Sequence, residues 1–482
     1  MSKATEYIGM YNPKSAKCMK RDMNRREFLK AGAVATGTIT MAGCGGRTAD
    51  FPLTPEGNHT GEVPTDKMTH RTNPKTGDKV SILGYGMMRL PNMKGNDASA
   101  DHEGDIDQDE VNRLCKYALD HGVNYFDTSP AYCRGRSEAS LGLALEASGY
   151  PRSSFFIATK LSNFSPQQWS FEEGTAMFER SLQYLKTDYV DYLLLHSVGS
   201  SMDNLNQRYL NNGLLEWLMA QRESGRIRNL GFSFHGDPAV FDWLLAHHDQ
   251  YKWDFVQIQL NYCDWHGTYK GNDAEYLYNE LAKRQIPVVI MEPLLGGRLS
   301  KVPDHVVAHL KQRRPEDSVA SWAFRYAATL PDVLTVLSGM TYQEHLEDNI
   351  RTYSPLEPLT EEEQRWLDGE TATLLESYPT IHCTSCKYCM PCPYGLNIPS
   401  IFQYYNKCVN KGNVPESQQA ANYEQARKAF LVGYDRAVPK LRQADHCIGC
   451  RQCVSHCPQQ LDIPNLLKRV DEFVEKLKQN TL

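Results

Sequence analysis

From about residue 80 the chain alternates two hydrophobic patterns. Short runs rich in β-branched and aromatic residues recur, and between them apolar positions fall three and four residues apart. The runs predict strands at Val80–Met88, Val123–Asp127, Phe155–Lys160, Val190–His196, Asn229–Phe232, Phe255–Gln259, Val288–Met291 and Val333–Leu337. The helical spacing predicts helices such as Asp109–His121, Gly174–Leu185, Leu214–Gly225 and Pro238–Leu245. Strands alternating with helices form parallel β/α units. Eight such units predict an α/β fold, a closed (β/α)8 or TIM barrel, with its chemistry at the C-terminal strand ends. An open doubly-wound sheet is the alternative. It calls for a glycine-rich fingerprint after the first strand, and Gly84-Tyr85-Gly86-Met87-Met88-Arg89 lacks the third glycine.

The flanks read differently. Asn24-Arg25-Arg26-Glu27-Phe28-Leu29-Lys30 precedes a mildly apolar run, Ala31 to Gly43, too short to span a bilayer. The paired arginines followed by Phe-Leu-Lys resemble a twin-arginine export signal, and Met41-Ala42-Gly43-Cys44 resembles a lipoprotein box. The expected location is periplasmic, or lipid-anchored through Cys44, with a cytoplasmic protein as the alternative. Residues 45–78 are rich in Gly, Pro, Thr and Asp and lack periodicity, which predicts a linker. The organisation expected is therefore a signal over 1–44, a linker over 45–78, a barrel over 79–356 and a second domain over 357–482.

Composition narrows the function classes. With 41% hydrophobic and 23% charged residues, the 482-residue chain has ordinary globular usage. Its net charge of −6 provides no concentrated basic face for nucleic acid. Cysteine is the informative residue: of 14, eight lie between Cys383 and Cys392 or between Cys447 and Cys457. Tight triplet spacing in a large chain points to metal binding rather than to a disulfide framework. The second run, Cys447-x2-Cys450-x2-Cys453-x3-Cys457-Pro458, has the bacterial two-cluster ferredoxin spacing, in which the fourth cysteine ligates the other cluster. One 4Fe-4S cluster is thus assigned to Cys383, Cys386, Cys389 and Cys457, the other to Cys447, Cys450, Cys453 and Cys392. The first run has two residues rather than three before its last cysteine. Zinc is the competing metal. Asn397-Ile398-Pro399 and Asp462-Ile463-Pro464 follow the runs at similar offsets, which suggests an internal duplication.

Four polar residues fall at neighbouring ends of the expected strands: Asp127, Lys160 and His196, with Tyr132 five residues after Asp127. Each alone has a structural reading, as a helix cap, a rim charge or a hydrogen-bonded histidine. Together they converge on one barrel mouth.

The segments Gly122-Val-Asn-Tyr-Phe-Asp-Thr128, Tyr132, Ile157-Ala-Thr-Lys160 and Asp191-Tyr-Leu-Leu-Leu-His196 resemble the aldo-keto reductase family. Gly86-Met-Met-Arg-Leu-Pro91, Gly231-Phe-Ser-Phe-His235 and Cys389-Met-Pro-Cys-Pro393 are similar to motifs of its members with an appended two-cluster module. The resemblance implies that Tyr132 is the general acid, that Lys160 lowers its pKa while Asp127 fixes Lys160, and that His196 orients a carbonyl. It implies a nicotinamide cofactor, NADP or NAD. Ser233 and Gln257 would take the carboxamide, while Leu294, Gly296, Gly297, Arg298, Ser338, Gly339 and Asn349 would hold the pyrophosphate and adenosine. Phe234 replaces an expected Asn, Met291 an expected aromatic and His345 a common Arg.

The function expected is an iron-sulfur oxidoreductase interconverting a carbonyl and an alcohol, with a redox partner protein or membrane carrier to serve the clusters. The alternative is an electron-transfer protein whose barrel is an idle docking scaffold. Arg89 is read either as a contact for an anionic substrate or as a rim salt bridge, and Cys133 as a pocket residue or a small buried hydrophobe.

Overall fold

A computed structural model describes residues 54–98, 104–267 and 273–482. The expected export signal and Cys44 lie outside the described residues. Eight parallel strands close a barrel in the order β10-β3-β4-β5-β6-β7-β8-β9. They are β3 (Leu83–Gly86), β4 (Tyr125–Asp127), β5 (Phe156–Leu161), β6 (Val190–Val198), β7 (Ile227–Phe234), β8 (Phe255–Gln259), β9 (Val288–Met291) and β10 (Val333–Ser338). Intervening helices are set by local caps. Asp107 accepts the Glu110 amide at the start of Gln108–Asp120, and Ser170 accepts that of Glu173 at the start of Phe171–Leu185. No described helix is long and apolar enough to cross a membrane.

The barrel interior is aromatic at its lower end. The Tyr125 and Tyr192 rings lie 5.0 Å apart, as do those of Tyr192 and Phe255, so each residue points inward from its strand and fills the lumen. The lumen is plugged from below by a hairpin, β1 (His70–Thr72) and β2 (Lys79–Ser81), which brings Val80 into the same cluster. Asn73 in the hairpin turn donates to the Tyr192 hydroxyl at 3.1 Å.

This floor corrects two expectations. The run Val80–Met88 is one strand by pattern but two in space, because Ser81 hydrogen-bonds the Leu83 carbonyl and the chain turns from the hairpin into the barrel. The described part of the expected linker, 54–78, is also built into the barrel. Arg71 donates to the Leu330 carbonyl at 2.6 Å, and the Val319 amide donates to the Pro55 carbonyl at 2.8 Å.

The second boundary moves as well. Leu359, Trp366, Leu367 and Ala372 belong to the barrel's core, whereas a separate core begins at Ile381. Three helices, Ile398–Asn410, Tyr423–Ala437 and Ile463–Gln479, build that module around Phe402, Phe430 and Val470. Barrel and module fall in one compact unit, Leu53–Leu482. They meet at the C-terminal ends of the barrel strands. Gln259 and Gln459 exchange amide hydrogen bonds of 3.1 and 2.8 Å, and Arg89 donates to the Thr384 carbonyl at 2.8 Å.

Candidate active site and cluster cradle

Asp127 is the last residue of β4, Lys160 is near the end of β5, and His196 is near the end of β6. Parallel strands in register carry these side chains to one mouth. Tyr132 arrives from the loop after β4, which twists through left-handed backbone at Cys133 (φ 47°) and Arg134 (φ 58°) directly behind it. All four expected residues are buried together, and Lys160 is wholly inaccessible.

The polar order is specific. Lys160 Nζ donates to Asp127 Oδ1 at 2.6 Å and to the Thr128 carbonyl at 2.8 Å. It also lies 4.8 Å from the centre of the Tyr132 ring. The Tyr132 and His196 rings meet edge to face at 5.8 Å. On its far side His196 Nδ1 has the Ser162 hydroxyl at 2.6 Å and the Ser129 hydroxyl at 3.3 Å. Burial pushes the Asp127 carboxyl up and the Lys160 ammonium down, while their mutual attraction opposes both shifts. Burial also drives His196 well below the usual imidazole range, with Lys160 adding to the shift, so the ring is neutral.

For Tyr132 the structure reverses the expected direction. Burial comes first and raises the phenol well above its ordinary value, and the neighbouring Tyr388, Asp127 and Glu292 push the same way. Lys160, paired with Asp127, does not outweigh that burial. The phenol therefore holds its proton, which is the state a proton donor needs.

The residues expected to hold a nucleotide divide into two groups. At the carboxamide end the chemistry fits. Gln257 Oε1 is a buried acceptor with no hydrogen-bond partner among the described residues, and Ser233 Oγ accepts the Ser197 amide at 2.7 Å. At the pyrophosphate end the groups are engaged elsewhere. The Gly296 amide donates to the Glu292 carboxylate at 2.5 Å, and the Gly297 amide to the Leu294 carbonyl at 3.0 Å. Arg298 donates to Thr380 at 2.8 Å, and Asn349 to Ser338 at 2.9 Å. A Cβ on Gly296 would stand 2.2 Å from the Thr384 carbonyl, and one on Gly339 would touch the Arg89 side chain. Glu292, half-buried and with its carboxyl pushed up mainly by desolvation, thus meets the amide that a phosphate would need. The module covers the rest.

Cysteines of the two runs come together in the module. Cys383, Cys386, Cys389 and Cys457 line one small hollow. Cys453 lies near Cys447, Cys450 and Cys392, and Cys389 of the first run lies near Cys453 as well. A cubane takes such a set of thiolates, one at each iron. Among the described residues no three His, Cys, Asp or Glu side chains form a group suited to one metal ion.

Several residues of the site carry no sequence signal. Ser129 and Ser162 are ordinary loop hydroxyls until the fold brings them to His196. Tyr388 is only a spacer between two cysteines, yet it lies near Tyr132 and its ring centre is 5.9 Å from that of Phe164. Phe164 in turn rests 4.9 Å from His196. Above Tyr132 opens a cavity of about 1270 Å³ bounded by the β4 to β7 loops and by the cluster loops, with Cys386 and Cys457 in its wall. None of the nine expected nucleotide residues lines it. Cys133 does, while also buried at 4% exposure, so both readings of it hold. Arg89 pairs with Asp97 at 3.4 Å, the rim salt bridge of its two readings.

Comparison with known proteins agrees with this architecture. The aldo/keto reductase family matches residues 82–369, and a 4Fe-4S dicluster domain matches residues 382–461. L-galactose dehydrogenase of Arabidopsis thaliana is 27% identical over 331 residues, covering 64% of this chain and 94% of that protein. D-arabinose 1-dehydrogenase of Saccharomyces cerevisiae is 32% identical over 160 residues, 31% of this chain and 44% of that one. An aldo-keto reductase from Bacillus halodurans in its holo form superposes with a TM-score of 0.50 at 23% identity, over 63% of this chain and 96% of the other. The chain belongs to the aldo/keto reductase family and is an iron-sulfur oxidoreductase of that type, its barrel followed by a 4Fe-4S dicluster domain.

Proposed function

We propose that the barrel interconverts a carbonyl and an alcohol with Tyr132 as the proton donor and acceptor at oxygen. The observation that carries this reading is the buried, neutral Tyr132 between His196 and the Lys160–Asp127 pair. In the reducing direction the Tyr132 hydroxyl gives its proton to the carbonyl oxygen as negative charge develops there. Lys160 holds a fixed positive charge beside the ring and stabilises the phenolate left behind. Asp127 keeps Lys160 charged. When Ser162 donates to Nδ1, the His196 proton sits on Nε2, where it orients the carbonyl.

Nicotinamide, NADP or NAD, is the hydride carrier we assign to the Ser233–Gln257 end, supplying two electrons and the hydrogen at carbon when bound. The Gly296 amide would be open to a pyrophosphate only once it releases the Glu292 carboxylate. Two 4Fe-4S clusters would be held by Cys383, Cys386, Cys389 and Cys457 and by Cys447, Cys450, Cys453 and Cys392, and would supply one-electron exchange with a partner protein or membrane carrier. The N-terminal Arg25-Arg26 segment is proposed to direct export of the folded chain.

Replacing Tyr132 by Phe tests the acid role. Turnover of an aldehyde should fall by about 10²- to 10⁴-fold, the usual worth of positioned acid catalysis, with cluster EPR spectra unchanged. Equal turnover in both proteins would leave the barrel as a docking scaffold.

A further inference from the structure

The cavity over Tyr132 has a charge pattern that the proton chemistry does not use. Among the described residues, Arg134, Arg208, Lys387 and Arg442 line it, against a single carboxylate, Asp237. Two of these cations come from barrel loops and two from the module. Arg208 is 2% exposed and gives all of its N–H groups to neutral acceptors: the His196 carbonyl at 2.6 Å, the Tyr209 hydroxyl at 2.9 Å, Asn163 Oδ1 at 3.1 Å, and the Ser197 carbonyl and Asn204 Oδ1 at 3.2 Å, so it acts through its charge. Its guanidinium also lies 5.4 Å from the centre of the Phe164 ring. A rigid cation is therefore fixed beside the catalytic histidine with its charge intact. Arg134 stands two residues after Tyr132, on backbone with φ of 58° that side-chain-bearing residues adopt at a cost. No cysteine run dictates that conformation, unlike the left-handed Lys387 between Cys386 and Cys389.

Cations near clusters can serve simply to balance the charge of the thiolates. That account suits Lys387 and Arg442. It does not suit Arg134 and Arg208, which belong to the loops that present Tyr132 and His196. Arg89, the anion contact considered from sequence, is committed to Asp97 and Thr384.

We propose that the substrate is anionic: a carbonyl or alcohol compound bearing a carboxylate, its reacting oxygen at Tyr132 and its carboxylate toward Arg134 and Arg208. Phe164 and Tyr388 form the apolar wall between the two ends. This assignment rests on the carbonyl–alcohol reading above and names the substrate class of that same site.

The test uses the full chain, purified with its clusters under argon, and a matched pair of aldehydes, 4-carboxybenzaldehyde and methyl 4-formylbenzoate. NADPH, NADH and reduced methyl viologen serve in turn as electron source. The ratio of kcat/KM, acid over ester, should exceed about 10, since charge-assisted contacts to a carboxylate discriminate on that scale. In Arg134→Gln that ratio should fall about tenfold. Isothermal titration with 4-(hydroxymethyl)benzoate and 4-(hydroxymethyl)benzamide reads binding without turnover, and the acid should bind at least about tenfold tighter. Equal values for acid and neutral partner, in turnover or in titration, would overturn the proposal. So would an Arg134→Gln protein that keeps its acid preference but shifts the cluster potentials, because the arginine would then serve the clusters. Selective binding of the acid with no turnover of either aldehyde would support the anion site and sink the carbonyl–alcohol reading instead.

Discussion

Removing the charge of Asp127 should unsettle the barrel out of proportion to one hydrogen bond. Lys160 is wholly buried, and its only charged partner within ion-pair distance among the described residues is Asp127 at 2.6 Å. Asp127→Asn leaves an ammonium in the barrel mouth with the Thr128 carbonyl as its remaining strong acceptor. Breaking one half of a buried pair costs about 3–5 kcal/mol, because the survivor stays desolvated and uncompensated. Removing both charges together leaves no uncompensated ion and lifts that burden. Asp127→Asn combined with Lys160→Met should therefore recover most of the loss, although it will not restore activity. The assay is urea denaturation under argon of the wild type, both single variants and the double variant, followed by far-ultraviolet circular dichroism. The midpoint should drop most for Asp127→Asn and partly return in the double variant. A single variant within 1 kcal/mol of wild type, a figure typical of exposed pairs, would refute the reasoning. So would a double variant less stable than Asp127→Asn.

Other outcomes follow from the same geometry. Glu138, 1% exposed and accepting from Thr159 at 2.5 Å, has its carboxyl pushed up to about 7 by burial. The native state therefore binds this proton more tightly than the unfolded chain, so stability should fall as pH rises from about 4.5 to about 7 and then level, by roughly 3 kcal/mol in all. Thermal melts across that range should show the slope in wild type and lose most of it in Glu138→Gln. Glu292→Gln removes the carboxylate held by the Gly296 amide, and should tighten NADPH or NADH binding at least about fivefold by fluorescence titration, as loss of a like charge near a phosphate does; unchanged affinity would place the pyrophosphate elsewhere. Gly296→Ala meets both a φ of +68° and the Thr384 carbonyl, and should cost at least about 1–2 kcal/mol and loosen the module, read as faster loss of cluster absorbance. Cys457→Ser should remove the cluster shared with the first cysteine run, taking iron from about eight to about four atoms per chain by elemental analysis.

The β/α alternation and the chemistry at strand ends were legible because both are local. Seven strand runs coincide with barrel strands to within a few residues, since buried parallel strands are apolar over their whole length. Asp127, Lys160 and His196 could be read because strand ends in a barrel converge whatever the loops do. The hairpin floor could not be read. Val80 and Leu83 are continuous in pattern, and only the Ser81 bond to Leu83 reveals the turn. Nor could the fate of the nucleotide loop, because Thr384 reaches Gly296 from 88 positions away along the chain. Tyr388 and Phe164 meet across 224 positions, and neither has a feature that announces the other. Local pattern reports which residues will be buried, whereas the identity of their neighbours depends on the docking of two cores.

That docking gives the cavity wall an unusual dependence. Cys386 and Cys457, proposed ligands of one cluster, also bound the space above Tyr132. A cluster attacked by oxygen would let go of the loops that carry Tyr388 and Lys387, and the substrate chamber would lose one side with them. The protein would then fall silent toward its substrate at the moment its iron is lost, with no separate sensor. Catalysis by the barrel would then follow iron supply and oxygen exposure through the shape of a single wall.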